Sequence, residues 1–110
     1  LENQTIQKGV KIEDNTFIWS GNHIGHGTYI GKNVYISSHV VVSGNCNIGS
    51  NCFLGVNSSI KDFTSISKNC FIGMNAAVTT NLAEGSSVVA NKSDVYDKFH
   101  RFSKVIRKNY

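Results

Sequence analysis

Every sixth residue from Ile6 is a branched aliphatic: Ile6, Ile12, Ile18, Ile24, Ile30, Ile36, Val42, Ile48, Leu54, Ile60, Ile66, Ile72 and Val78. That is thirteen consecutive hexads with no slip in register. Two residues before each stands a mostly small or β-branched side chain, such as Val10, Thr16, Thr28, Val34, Val40, Cys46 or Ala76, with Asn22 the exception. Three residues after each comes Gly or Asn in eleven of thirteen cases, His39 and Phe63 being the others. Gly and Asn are the residues that best tolerate left-handed backbone angles. A period of six rules out an amphipathic helix, whose apolar positions recur every 3.6 residues. Each hexad therefore predicts a short strand followed by a tight corner.

This aliphatic–Gly–x–x–small–x pattern is the hexapeptide signature of left-handed parallel β-helices. The predicted fold is an all-β solenoid, a left-handed parallel β-helix of hexapeptide repeats with a C-terminal α-helix. Three hexads would close one triangular coil, so residues 18 positions apart stack. A little over four coils are expected, about 4.8 Å apart as neighbouring strands are. The stacking aligns Phe17, Tyr35, Phe53 and Phe71 in an outward-facing column, whereas His23–Val41–Ser59–Ala77 and Tyr29–Asn47–Ser65 are smaller or more polar. An exposed aromatic stripe of this kind marks an interface. A neighbouring subunit or the chain's own tail is expected to cover it; the resemblance to hexapeptide-repeat proteins, which typically form trimers, implies a homotrimer, and cyclic symmetry would close such an interface.

The pattern divides the chain into a β-helix over 1–83, a connecting loop over 84–92 and a helix over 93–108. In the last segment Val95, Phe99, Phe102 and Ile106 share one helical face, and Ser93 or Asp94 can cap its start. The hexad phase runs to the first residues without a cap, so the chain is expected to be a piece of a longer protein.

With 110 residues, ten glycines, no proline and 16% charged residues, the chain has the size of one domain. The net charge of +4 comes wholly from residues 92–110, because 1–91 hold five Lys against five acidic residues. The folded body thus offers no basic footprint for nucleic acid. No membrane span or signal-peptide pattern is visible, and a cytoplasmic setting is expected. Cys46, Cys52 and Cys70 fall at inward positions without a CxxC spacing, which reads as packing. His23 falls on a face, whereas His26 and His39 fall on two different corners. No metal is expected from them: γ-class carbonic anhydrases share the architecture and bind zinc with three histidines, but the spacings here, His–x2–His and His–x12–His, differ from theirs.

The stretch "IGHGTYIGKNVYISSHVVVSGNCNIGSNCFLGVNSSI" (24–60) resembles the sialic-acid O-acetyltransferase and bacillosamine N-acetyltransferase group. Their motif reads aliphatic–Glu–His–Asp–x–x–Ile–Gly, and Ile24-Gly25-His26-Gly27-Thr28-Tyr29-Ile30-Gly31 aligns with it without gaps. The resemblance implies acetyl transfer from acetyl-CoA to an amine or hydroxyl of a sugar or nucleotide sugar, in surface-polysaccharide biosynthesis. His26 would be the general base and His39 the second candidate, with His23 and Tyr35 lining the acceptor site. Ser37, Gly55, Asn57 and Gly73 would hold the cofactor, the glycine N–H groups steadying the oxyanion or the pantetheine arm. The family's site lies between subunits, so His26 of one subunit would face the 37–55–73 edge and His39 of the next. The chain departs from the family in three places. The Glu that orients the catalytic ring is Gly25, a second His is Tyr35, and "ANKS" (90–93) stands near the place of a Gly-x-Pro-Ala-Lys closing motif, departures that leave a non-catalytic β-solenoid assembly or regulatory module as the alternative reading.

Overall fold

The computed structural model describes residues 1–96. It is a parallel β-solenoid whose two-residue strands form three sheets. The first sheet holds β1 (Thr5–Ile6), β4 (His23–Ile24), β7 (Val41–Val42), β10 (Ser59–Ile60) and β13 (Ala77–Val78). The second holds β2 (Lys11–Ile12), β5 (Tyr29–Ile30), β8 (Asn47–Ile48) and β11 (Ser65–Ile66). The third holds β3 (Phe17–Ile18), β6 (Tyr35–Ile36), β9 (Phe53–Leu54), β12 (Phe71–Ile72) and β14 (Ser87–Val88).

The strands are short because the corners come every six residues. At each corner the residue three after the aliphatic takes a positive φ, from Gly9 and Asn15 through Asn75. Between corners the chain alternates in and out, so the aliphatic column faces inward with Ile24, Ile30, Ile36, Val42, Ile48 and Leu54 fully buried. Each such side chain is worth about 1.5–3 kcal/mol of burial. The small column faces inward as well, with Thr28, Val34, Val40, Cys46, Cys52 and Ala76 buried. Asn22 fits there only because its polar atoms are used: Oδ1 accepts from Val40 N–H at 2.7 Å and Nδ2 donates to the Trp19 carbonyl at 3.1 Å. Backbone N–H groups of one coil bond to carbonyls of the next, as in Tyr29 to Cys46 and Tyr35 to Cys52, both at 2.9 Å.

The aromatic column stacks as expected, with ring centroids 6.0, 5.4 and 5.1 Å apart from Phe17 through Tyr35 and Phe53 to Phe71. The three thiols are buried and unpaired. Burial pushes the Cys46 and Cys52 thiols above their usual range, which keeps them protonated and inert.

The end of the solenoid departs from the expected boundaries. The segment 84–92, expected as a connecting loop, contains β14, and the winding reaches about five turns rather than a little over four. Ile72 pairs with Val88 and Ile66 bridges Leu82, an offset of 16 residues where every earlier pair keeps 18. Two residues are missing from the corner after Val78, and the aliphatic column resumes out of phase at Leu82 and Val88. Asn81, the expected left-handed corner, does not adopt a positive φ; Gly85 does. The Asn81 side-chain oxygen instead accepts the Ser65 N–H at 2.8 Å, standing in for the carbonyl that a full coil would offer. The expected helix over 93–108 falls largely outside the described residues, and 93–96 are exposed without regular structure. Among the described residues no helix is long and apolar enough to cross a membrane.

One corner carries visible strain. Phe63 holds φ 58° with its side chain 73% exposed, so no packing offsets the steric cost. Phe63→Asn is expected to raise stability by about 1 kcal/mol, read as a higher urea midpoint. A lower midpoint would show that the ring contributes a contact that outweighs the strain.

Candidate functional site

The corners stack into three edges, and the edges sort the candidate residues. The edge that follows the first sheet is built from 7–9, 25–27, 43–45 and 61–63, and it carries His26. The edge that follows the third sheet is built from 19–21, 37–39, 55–57 and 73–75. It brings together Ser37, His39, Gly55, Asn57 and Gly73, with Tyr35 beside it on β6. His23 is half-buried on β4, on the face between these two edges. His26 and His39 therefore flank one sheet from opposite borders, and no contact joins them within the chain.

His26 is exposed, but its ring is held on three sides. From the coil below, Gln7 Oε1 accepts the His26 backbone N–H at 2.9 Å and lies 3.3 Å from Nδ1. From the coil above, Asn45 Nδ2 lies 3.5 Å from Nε2. The ring rests on Gly44, where a Cβ would come within 2.7 Å of Cε1 and 2.8 Å of Nε2. Gly44 is not in the left-handed region, so the ring rather than the backbone angle explains a glycine there. A Cβ on Gly25 would lie 2.5 Å from the backbone of Ser43 and Gly44, so position 25 admits no side chain without shifting the next coil.

On the other edge His39 sits at φ 58°, and its ring lies over Gly21, where a Cβ would meet Nδ1 at 2.6 Å. No hydrogen bond orients its ring nitrogens among the described residues. Tyr35 accepts a hydrogen bond from the Trp19 indole and stacks between Phe17 and Phe53.

The expected role of the glycine N–H groups is not supported by the geometry. Gly55 N–H donates to the Ile72 carbonyl at 2.7 Å and Gly73 N–H to the Val88 carbonyl at 2.8 Å, so both are used by the coil ladder. Gly55 is required for close stacking instead, since a Cβ would meet Met74 N at 2.7 Å. Among the described residues, the amides without a hydrogen bond on this edge are those of the next corner position, Ser38, Val56 and Met74. At the far end of the edge a groove of about 420 Å³ is lined by Phe71, Gly73, Met74, Val89 and Lys92. Among the described residues, no three His, Cys, Asp or Glu side chains are grouped to hold a metal ion.

Residues 9–44 match the family described as "Bacterial transferase hexapeptide (six repeats)", and 45–80 and 63–92 match "Hexapeptide repeat of succinyl-transferase". The chain belongs to the hexapeptide-repeat family. Two solved structures are similar in fold. UDP-N-acetylglucosamine acyltransferase from Campylobacter jejuni is 24% identical with a TM-score of 0.65, over 81% of this chain and 43% of that one. A histidine-to-alanine variant of GDP-perosamine N-acetyl transferase from Caulobacter crescentus, in complex with CoA and GDP-perosamine, is 13% identical with a TM-score of 0.55. That match covers 81% of this chain and 54% of that one. This hexapeptide-repeat chain thus spans about half the length of either relative or less. No curated protein sequence matches it significantly.

Gly44→Ala should unseat the His26 ring while sparing the fold, because the clash falls on the end of a flexible side chain. The expected result is a changed His26 imidazole NMR signature with stability within about 0.5 kcal/mol of the parent. An unchanged signature would show that the ring does not rest on Gly44 in solution.

Proposed function

We propose that this chain is the acyl-transfer module of an acetyl-CoA-dependent sugar acetyltransferase of surface-polysaccharide biosynthesis, with His26 as its general base. The observation that carries the proposal is the held imidazole of an exposed residue: Nδ1 faces Gln7, the ring rests on Gly44, and Nε2 faces Asn45 Nδ2 at 3.5 Å. Relatives with this fold are acyltransferases named for nucleotide-sugar substrates, and one is described with CoA and a nucleotide sugar bound together.

In the proposed reaction Nε2 takes the proton from the acceptor amine or hydroxyl as its nitrogen or oxygen attacks the thioester carbonyl. The new C–N or C–O bond forms, the C–S bond breaks, and the CoA thiolate leaves and recovers the proton from the imidazolium. A positioned base of this kind contributes typically 10²–10⁴-fold. The donor would lie along the edge of Ser37, Asn57 and Gly73. Its phosphates would approach Lys92 in the groove beside Phe71, and the free amides of Val56 and Met74 would face its pantetheine arm.

His26 and that edge lie on opposite borders of one sheet, so one chain does not bring them together. The exposed column of Phe17, Tyr35 and Phe71 supplies apolar surface for a second copy. In a cytoplasmic homotrimer, His26 of one subunit would face the donor edge and His39 of the next, with His23 and Tyr35 near the acceptor.

Acetyl-CoA should raise the thermal midpoint of the protein, and His26→Ala should lower acyl transfer by about 10²–10⁴-fold without abolishing that stabilisation. His39→Ala should cost less. Full turnover in His26→Ala would move the base elsewhere, and no stabilisation by acetyl-CoA or CoA would remove the acyl-transfer assignment altogether.

A further inference from the structure

We infer that Gln7 is the positioning residue that sets the tautomer of His26, taking from the coil below the role that position 25 cannot fill. The inference rests on the acyl-transfer assignment only for its catalytic consequence; the tautomer itself follows from geometry. Which ring nitrogen of a histidine carries the proton is set by the hydrogen bond that the other one makes.

The orientation of the Gln7 amide is the first question, because its oxygen and nitrogen are nearly alike in shape. The His26 backbone N–H resolves it. That group can only donate, and it points at the Gln7 side chain at 2.9 Å, so the atom there must be the carbonyl oxygen. The same oxygen lies 3.3 Å from Nδ1, and two acceptors would repel, so Nδ1 carries the proton and donates to it. Nε2 is then the lone-pair nitrogen. Asn45 Nδ2, at 3.5 Å, is a donor that tolerates a lone pair on Nε2 and faces it. The basic nitrogen thereby lies beside Gly44 and Asn45 of the coil above.

The family's carboxylate partner is replaced here by a neutral amide. Gly25 explains why it cannot return at its usual place, since a Cβ there would collide with backbone atoms at 2.5 Å. Gln7 is the residue of the same edge column one coil below, 18 positions earlier. Charged groups on this edge are Lys8 on the coil below and Lys61 and Asp62 two coils above His26. None of them makes a hydrogen bond to the ring among the described residues. An amide holds the Nδ1 proton without a negative charge to stabilise the imidazolium. A carboxylate at position 7 would keep the ring protonated to higher pH.

The test is long-range ¹H–¹⁵N NMR of the intact chain, with Gln7→Leu and Gln7→Glu beside it. The parent should show the Nδ1–H tautomer for His26. Gln7→Leu should shift the population towards Nε2–H and lower kcat about ten- to a hundredfold, less than loss of the base itself, with the KM for acetyl-CoA unchanged. Gln7→Glu should retain Nδ1–H, keep kcat near that of the parent, and move the acid limb of the pH–rate profile to higher pH. An Nε2–H tautomer in the parent, or an unchanged tautomer in Gln7→Leu, overturns the inference. If the parent catalyses no transfer but shows a Gln7-dependent Nδ1–H tautomer, the positioning stands and the acyl-transfer assignment fails.

Discussion

Each side of each coil must bury one branched aliphatic residue while handing its backbone N–H and C=O groups to the coils on either side. That double requirement governs the rest of the molecule. Burial alone would accept many packings, and a parallel ladder alone would accept many lengths. Together they demand strands of two residues and, through Asn75, a corner every six with a left-handed residue in it. The interior is then a stack of Ile, Val and Leu with Cys, Thr, Ser, Ala and the hydrogen-bonded Asn22 filling the remaining space.

The same constraint creates the chemistry. Side chains leave the stack only at the faces and edges, so any site must be assembled from residues one or two coils apart. His26 shows how far this goes. Its partner from below is Gln7, its support from above is Gly44 with Asn45, and the glycine before it is forced by the neighbouring coil. The backbone ladder also decides which amides can serve a ligand. Those of Gly55 and Gly73 belong to the coil contacts, whereas among the described residues those of Ser38, Val56 and Met74 make no hydrogen bond.

Most of the fold was legible because the hexad is a local rule repeated without gaps. The Asn and Gly column identified the left-handed corners directly, even at the unusual His39 and Phe63. Legibility ended where the rule was broken by two residues. After Val78 the phase shifts, and Leu82 and Val88 continue a column that a fixed period of six no longer finds. The site was less legible for a different reason. His26 could be picked out by its motif, but Gln7 lies 19 residues away and has no motif of its own. Reading down the edge column, 18 and 19 positions before each candidate, would have exposed it. The hydrogen bonds of the Gly55 and Gly73 N–H groups were not legible, because a glycine in a sequence says that close approach is permitted, not which atoms approach it.

Placing the donor relative to His26 is the most direct measurement. A crystal structure of the protein with acetyl-CoA should show the cofactor along the edge of Ser37, Asn57 and Gly73. The thioester carbonyl should lie within reach of His26 Nε2 contributed by an adjacent subunit. Acetyl-CoA bound on another surface, or bound here with His26 remote from the thioester, would contradict the proposed site.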